Sequence, residues 1–336
     1  MTIVDTRPES RLWVHDTYVH RVGLELEGFF KTETSRRTLA GVAGKIEDDA
    51  GLNLGEFITD PVESVEQAVE ILHALLQGVD GEVHLVSHRP HSLSHNSGRW
   101  QPHKARYTAL RQGLQRESPK HWGMVNAMTD RAALQMSFSG AFDPFGEDGV
   151  FLINMVNHLA PYLAGVSHEM IGEGYGHLGI WRKFGHPERF PRYQRWLADA
   201  EELRSCYESV PKLFWDDGDD VFYQPRPGDY QSISTPSDLG VMWWFMRPKL
   251  NPDNCAYLES RYRPSMPLEW AEFFLEQDRK LFELLFVWFH EENDGRPVTS
   301  MQAALPAFRF LAEYMPKLVP AEPLSFMQWS RLMLRG

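Results

Sequence analysis

The 336 residues are enough for one large domain or two ordinary ones, and 43% hydrophobic residues with 11 tryptophans are typical of a globular chain with a sizeable core. A net charge of −12 argues against a general nucleic-acid binder. It does not exclude an anionic ligand, because a bound metal ion can invert the local field.

Compartment and chain organisation follow from what the sequence lacks. Two cysteines are too few for a disulfide framework and indicate a reducing, cytoplasmic location. The charged N-terminus has no apolar region of a signal peptide, and no window of about 18 apolar residues predicts a transmembrane helix. We find no repeats and no clear linker. We therefore expect a single domain over residues 1–336, with no nucleic-acid or membrane partner, and homo-oligomerisation stays open.

Strands and helices are mixed along the chain. The predicted strands are 19–30, 81–88, 131–140 and 255–263. The predicted helices are 62–79, 104–117, 150–166, 190–210, one beginning near Thr235 or Ser237, and most of the last 70 residues, whereas 214–235 reads as a long loop. This pattern predicts an α+β fold, in which an antiparallel sheet forms a concave active-site floor that helices back and flank.

Three of the predicted strands carry polar residues two positions apart. In "GLELEGFF" these are Glu25 and Glu27, and the other pairs are Gln135/Ser137 and Glu259/Arg261. Residues at i and i+2 of a strand point to the same side of a sheet. If the three strands pair, their polar residues form one common floor.

Such a floor has the groups that phosphoryl transfer needs. Carboxylates can hold Mg²⁺, which takes oxygen ligands and keeps waters or phosphate oxygens in the rest of its shell. Arginine can grip a phosphate or a carboxylate through two parallel hydrogen bonds. The alternative is a half-exposed sheet whose polar side meets solvent, and the apolar residues around "GLELEGFF" and "CAYLESRY" argue against it.

The segment "MWWFMRPKLNPDNCAYLESRY" resembles the "WWD.RP…TLEVR" motif of the carboxylate–amine ligase family related to type 2 glutamate–cysteine ligases. "GLELE" resembles that family's "GVEEE" strand, and "ARYTALRQGL…AMTDRAALQMSFS" is similar to its "PRY..M…TA..QV.." region. The resemblance covers roughly residues 20 to 295, with the motifs in collinear order. The matched positions are Gly23, Glu25, Glu27, Arg106, Tyr107, Gln135, Ser137, Trp243, Trp244, Arg247, Pro248, Glu259 and Arg261.

This resemblance implies a catalytic core similar to that of glutamine synthetase, with ATP and Mg²⁺ on the sheet. It implies that a carboxylate is phosphorylated and that an amine then attacks the acyl phosphate to form an amide. The implied metal ligands are Glu25, Glu27 and Glu259. The implied nucleotide site is Gln135, Ser137, Glu259 and Arg261, with Arg247 and Arg261 as catalytic residues. The implied substrate contacts are His177, Arg106 and Tyr107.

The departures from the family motifs leave other functions open. His177 stands where the family has an arginine, Phe245 replaces the acid of "WWD", and Pro264 replaces a later aspartate. We therefore predict that glutamate is not the preferred acid, unless Arg182 supplies the missing charge. A reassigned or inactive descendant that binds a small molecule or protein is one alternative. A metal-dependent hydrolase that uses the histidine-rich loop 87–103 is another.

Overall fold

The structure is a computed structural model that describes residues 18–31, 38–96, 100, 105–117, 128–172, 189, 193, 195–210, 214–216, 221–223, 242–251, 253 and 255–334. Its strands are β1 Val19–Phe30, β2 Gly44–Asp48, β3 Leu54–Thr59, β4 Val83–His84, β5 Ala133–Gly140, β6 Phe214–Asp216, β7 Val221–Tyr223, β8 Met246–Leu250 and β9 Ala256–Pro264. Its α-helices are α1 Val65–Gln77, α2 Ala105–Glu117, α3 Glu147–Ile171, α4 Ala200–Glu208, α5 Leu268–Val287, α6 Leu305–Tyr314 and α7 Phe326–Leu334. Short 3-10 turns cover His91–Asn96 and Met128–Asp130, and a π-helical turn, Trp288–Glu292, continues α5.

Seven of these strands form one sheet in the order β2-β3-β1-β5-β9-β8, with β4 paired to the end of β1. All of its pairs are antiparallel. Strands β6 and β7 form a separate hairpin. The predicted α+β fold with an antiparallel sheet is confirmed, and the three predicted polar strands β1, β5 and β9 are neighbours at its centre. The finer assignment to a glutamine-synthetase-like core, and the single domain, stay predictions.

One face of the sheet is apolar and packs on helices. It carries alternate residues of β1, β3 and β5, among them Leu24, Leu26, Phe57 and Met136, all at most 2% exposed. The ring of Phe138 stacks on Phe282 of α5 with centroids 4.7 Å apart. Because alternate residues of a strand face opposite sides, burying this set leaves the polar residues between them on the other face.

A buried ion pair ties β9 to the helices behind the sheet. Arg263 donates from Nε and Nη2 to the two carboxylate oxygens of Asp278 on α5, at 2.8 and 2.5 Å. It also donates from Nη1 to Leu163 O and Ser167 Oγ on α3, at 2.8 and 2.6 Å. Both charged side chains are only 1% exposed, so this two-pronged pairing is what compensates their removal from water.

Helix α3 is long and apolar enough to cross a membrane by length and composition, which the sequence analysis had not expected. However, 83% of its most apolar window is buried inside the fold. It contacts β8, β9 and several helices, so we describe it as the central core helix.

Several predicted elements were wrong. Among the described residues of the predicted helix 190–210, only α4 is helical. Asn154 bonds the backbone of Leu197 through both its amide oxygen and its amide nitrogen, and residues 195–198 are non-helical. The predicted strand 81–88 reduces to β4. Strands β2, β3 and β8 were missed, and the predicted loop 214–235 contains β6 and β7. The predicted helix start near Thr235 or Ser237 lies outside the described residues. Residues 242–245, at the end of that segment, are non-helical and lead into β8, and Asn157 Oδ1 accepts the backbone N–H of Phe245 there.

Candidate functional site

The predicted polar side chains do share one face of the sheet. In the strand register, Glu25 lies opposite Gln135, Ser137 lies opposite Glu259, and Glu259 lies opposite Arg247. Directly opposed residues of antiparallel strands project to the same face. We call this the polar face, and its two ends differ in charge.

The end formed by β1 and β3 is an acidic half, which comprises Glu25, Glu27, Glu56 and Asp49. Glu27 lies opposite Glu56 in the register. Asp49 follows β2 and accepts a 2.9 Å hydrogen bond from the hydroxyl of Tyr107 on α2. The Glu27 carboxylate accepts the backbone N–H of Ala133 at 2.8 Å, which fixes its position at the start of β5.

The pKa values of three of these carboxyls are raised. Burial is the largest cause for each of them. For Glu25 the next cause is the nearby charge of Glu259; for Glu27 and Glu56 it is the charge of other members of the acidic half. The pKa rises well above 4.5 for Glu27 and Glu56. Carboxylates buried among carboxylates hold protons more tightly, so a bound cation would stabilise their ionised form.

The end formed by β9 and β8 is a cationic half, which comprises Arg247, Lys249, Glu259 and Arg261. Glu259 Oε2 accepts from Arg247 Nε at 2.6 Å and from Arg261 Nη1 at 3.0 Å. Its Oε1 accepts from Lys249 Nζ at 2.8 Å. Arg247 also donates from Nη1 to Met242 O at 2.6 Å.

The carboxyl of Glu259 shows the opposite pKa shift. Burial alone would raise its pKa, but Arg247, Lys249 and Arg261 together hold it well below 4.5. Glu259 is therefore ionised at neutral pH. Its single negative charge is shared among three cations, so this end of the face has positive charge in excess.

Gln135 connects the two halves. Its Nε2 donates to Glu25 Oε1 at 2.6 Å and to Glu27 Oε1 at 2.8 Å. Its Oε1 accepts a hydrogen bond from Arg261 Nη1. The side chain is 1% exposed. A continuous chain of hydrogen bonds thus crosses four neighbouring strands, from β1 through β5 and β9 to β8.

Most of the predicted site residues lie on or beside this face. Glu25, Glu27, Gln135, Glu259, Arg247 and Arg261 are joined by direct contacts, and Ser137 lies between Gly23 and Glu259 in the register. Tyr107 reaches the acidic half through Asp49. Arg106 lies beside Tyr107 in α2, but its side chain is outside the described part. His177 and Arg182 lie outside the described residues. What each of these residues does chemically stays a prediction.

Three members of the face were missed by the sequence analysis: Lys249, Glu56 and Asp49. Lys249 follows Arg247 by two positions, the same spacing that identified the other pairs, and a strand assignment for 246–250 would have found it. In "LGEFIT", Glu56 points to the side opposite the buried Phe57, which is a strand alternation that was overlooked. Asp49 carries no sequence signal, because only the turn after β2 and the contact with Tyr107 place it.

Two of the positions that depart from the family motifs are buried. Phe245 is 2% exposed and belongs to the main hydrophobic core. Pro264 ends β9 and lies opposite Ala133. An acid at either position would need a different local packing, so the apolar residues suit this fold.

Metal binding by protein side chains alone has no preformed site in the described ranges. Within them, no three histidine, cysteine, aspartate or glutamate side chains are arranged to hold a metal ion. In the histidine-rich loop, the Nδ1 of His88 lies 2.8 Å from Ser87 Oγ, and His103 is outside the described residues. The predicted histidine-loop hydrolase gains no support from this geometry.

Comparison with known proteins adds distant structural neighbours. No protein-family model matches the chain, and no curated protein matches it. One similar solved structure is a glutamate–cysteine ligase from Francisella tularensis in complex with AMP, at 13% identity and a TM-score of 0.45, covering 96% of this chain and 82% of that chain.

A second similar structure is a bifunctional glutathione synthetase from Pasteurella multocida. Identity is 11% and the TM-score 0.37, and the alignment covers 87% of this chain but only 41% of that one. This chain therefore spans about two fifths of that protein. Both likenesses are too distant to carry an argument about function, and the site is judged on its own contacts.

Proposed function

We propose that this chain is an ATP- and Mg²⁺-dependent carboxylate–amine ligase that forms an amide bond through an acyl phosphate. The observation that carries the proposal is the division of one sheet face into an acidic half and a cationic half, joined by Gln135. The collinear family motifs point to the same residues. The proposal includes a single catalytic domain and a cytoplasmic location, as the sequence predicts.

The cationic half suits a phosphate or carboxylate group. Three cationic side chains surround the single carboxylate of Glu259, so the net positive charge of this half suits an anionic ligand. The Arg261 and Lys249 side chains are 19% and 25% exposed, so a ligand could reach them from solvent. Arginine offers a planar pair of donors that matches phosphate and carboxylate oxygens.

The acidic half suits Mg²⁺ that arrives with a nucleotide. Glu25, Glu27 and Glu56 offer the hard oxygen ligands that Mg²⁺ takes, and burial, followed by the charge of neighbouring carboxylates, raises their pKa values. Mg²⁺ is usually held by one or two carboxylates plus substrate phosphates, so a closed protein cage is not required. When bound, it would neutralise charge on the transferring phosphoryl group.

The reaction we propose has two displacements. A carboxylate oxygen of the acid attacks the γ-phosphorus of ATP, the bond to the bridging oxygen breaks, and ADP leaves. The amine nitrogen then attacks the acyl carbon, phosphate leaves, and the nitrogen loses a proton. Arg261 and Arg247 would align and neutralise the reacting oxygens, which is the main task of a protein in phosphoryl transfer.

The second candidate is a descendant that binds an anionic small molecule without ligating it. The observation that favours it is Phe245, because the acid expected there is absent and its place is filled by the core. The prediction that glutamate is not the preferred acid rests on His177, which lies outside the described residues.

Substituting Glu27 with glutamine tests the proposed function. Glu27→Gln keeps the size of the side chain but removes a negative charge from the acidic half. We expect ADP release, screened over carboxylates and amines, to fall to background while circular dichroism is unchanged. Glu47→Gln is the matched control, because Glu47 lies in the same register row at the sheet edge and pairs with Lys45 at 2.7 Å.

Three outcomes separate the candidates. Substrate-dependent ADP release by the wild type that Glu27→Gln abolishes supports the ligase. Undiminished release in Glu27→Gln removes Glu27 from the site. A wild type that ATP with Mg²⁺ stabilises, by about 2.7 kcal/mol at 100 times the Kd, but that never releases ADP, supports the binding protein instead.

A further inference from the structure

We propose that Gln135 couples the two halves of the polar face: its amide turns over when a divalent cation binds Glu25 and Glu27, and this frees Arg261 for an anionic group. The inference rests on the proposed function, which supplies the cation and the anion. It adds a thermodynamic coupling between them, because a bound cation strengthens the binding of the anion.

The contacts of Gln135 fix one orientation of its amide. Both donated bonds go to carboxylates and the accepted bond comes from a guanidinium. With nitrogen and oxygen exchanged, the amide oxygen would face two carboxylates and the amide N–H₂ would face Arg261. The described orientation is therefore the one that these neighbouring charges favour electrostatically.

A cation between Glu25 and Glu27 reverses this preference. The amide N–H₂ carries the positive end of the side-chain dipole, so it is repelled by a cation. The amide oxygen is a ligand that Mg²⁺ and Ca²⁺ accept. The terminal torsion of glutamine is broad and roughly two-fold, so turning the amide over meets little intrinsic resistance.

The same turn changes the partners of Arg261. In the structure Arg261 donates from Nη1 to both Gln135 and Glu259. Once Gln135 presents N–H₂, the bond to Gln135 is lost and two donors face each other. A guanidinium donor is then free to bind a phosphate or carboxylate oxygen, which is the acceptor arginine fits best.

The coupling must work in both directions. If the cation strengthens anion binding by some factor, the anion strengthens cation binding by the same factor. Such factors are commonly about 5- to 150-fold. We therefore expect the affinity for a divalent cation to rise when the cationic half is filled, even with an anion that does not chelate the metal strongly.

Manganese and sulfate are suitable probes. Mn²⁺ replaces Mg²⁺ at oxygen ligands, and its free aqueous form is counted directly by electron paramagnetic resonance. Sulfate mimics a phosphoryl group, and chloride at equal ionic strength is the reference for screening. For the wild type we expect the Kd for Mn²⁺ to fall at least about five-fold when sulfate replaces chloride.

Two substitutions distinguish coupling from a structural role. Gln135→Met removes the amide, so both probes should still bind but the sulfate effect on Mn²⁺ should shrink to the direct attraction between the two ions. Gln135→Glu offers a fixed carboxylate to the metal and to Arg261. It should bind Mn²⁺ more tightly than the wild type and lose the sulfate effect. A simple loss of structure would not strengthen Mn²⁺ binding in one variant while it weakens the sulfate effect in both.

Gln277→Met is the matched control, because Gln277 lies on α5, on the other side of the sheet, and undergoes the same chemical change. This variant should keep the wild-type ratio between the Kd for Mn²⁺ in chloride and the Kd for Mn²⁺ in sulfate. An equal sulfate effect in wild type and Gln135→Met, or loss of Mn²⁺ binding in a folded Gln135→Met, would overturn the coupling and leave the proposed ligase standing. A wild type that binds no Mn²⁺ with or without sulfate would overturn the coupling, and one that binds no Mn²⁺ even with ATP present would overturn the ligase as well.

Discussion

The acidic and cationic halves of the polar face each contain a buried glutamate, and the two carboxyls behave in opposite ways. Glu27 is 8% exposed and Glu259 is 1% exposed, and both belong to the same face of the same sheet. Nevertheless the pKa of Glu27 lies well above 4.5 and that of Glu259 well below it. Burial raises both pKa values, so the difference comes from the neighbours.

The register of the strands produces these different neighbours. Strands β8 and β9 place Arg247 and Lys249 beside Glu259. Strands β1 and β3 place Glu27 opposite another glutamate. One half therefore surrounds its acid with three cationic side chains, whereas the other places acids beside one another. This division is what the proposed binding of a metal–nucleotide complex would use.

The largest expected effect comes from removing the anion of the cationic half. Glu259→Gln leaves Arg247, Lys249 and Arg261 without their shared carboxylate, and breaking a buried pair in this way costs about 3–5 kcal/mol. We expect urea unfolding at pH 7 to show that loss. Glu82→Gln is the control, since Glu82 is 57% exposed beside Lys31 and should change stability by at most about 0.5 kcal/mol.

The pH dependence of this effect sharpens the comparison. The pKa of Glu259 in the fold lies below its usual 4.5, so its contribution to stability is present above that value and is lost as the pH falls through the lowered pKa. The difference in the free energy of unfolding between the wild type and Glu259→Gln should become smaller at acidic pH. A difference that becomes larger at acidic pH would contradict the assignment of Glu259 as ionised at neutral pH.

A smaller loss is expected at the rim of the same half. Lys249→Met removes a 2.8 Å bond to Glu259 but leaves both arginines in place. The Lys249 side chain is 25% exposed, so we expect a loss of about 1 kcal/mol, below the range for a fully buried charged hydrogen bond. Lys45→Met, at an ion pair on the sheet edge, should cost close to nothing in the same assay. Equal losses would mean that Lys249 is only a surface charge.

The smallest effect has the opposite sign and belongs to the acidic half. The pKa of Glu56 is raised, first by burial and then by Glu25 and Asp49. The fold therefore holds a proton that the unfolded chain releases, and stability falls as the pH rises from 4.5 towards the raised pKa. Glu56→Gln should raise the Tm by about 1 °C at pH 8 without divalent cations, and should not raise it at pH 4. A Tm of Glu56→Gln below that of the wild type at pH 8 would contradict the repulsion between Glu56 and its neighbours Glu25 and Asp49.

The side to which each polar residue points could be predicted from sequence, because a strand alternates with a period of two. That rule predicts that Glu25 and Glu27 share one side of β1, and that Gln135 and Ser137 share one side of β5. The order of the strands could not be predicted, because nothing local in β3 indicates that it pairs with β1. Glu56 was missed because β3 itself was not recognised as a strand.

The missed strand β8 has a different physical cause. "MWWFM" reads as a buried apolar run, which suits a helix or a strand equally well. Asn157 on α3 favours the non-helical backbone, because its Oδ1 accepts the backbone N–H groups of Phe245 and Met246 at 3.1 and 3.3 Å. A contact across 88 residues has no signature in a local window, and Lys249 was lost with the strand.

Strand β1 also depends on a partner far along the chain, and this bears on how the protein is made. The N–H groups of Tyr18 and Val19 are satisfied by Glu283 of α5, at 2.7 and 2.9 Å and up to 265 residues away. A ribosome adds about 5–20 residues per second, so β1 exists for roughly 10 to 50 s before that partner is made. During this interval Glu25 and Glu27 also await β9. The polar face is completed only near the end of synthesis, and a nascent chain stalled before α5 would present an unfinished strand edge to the cell's chaperones.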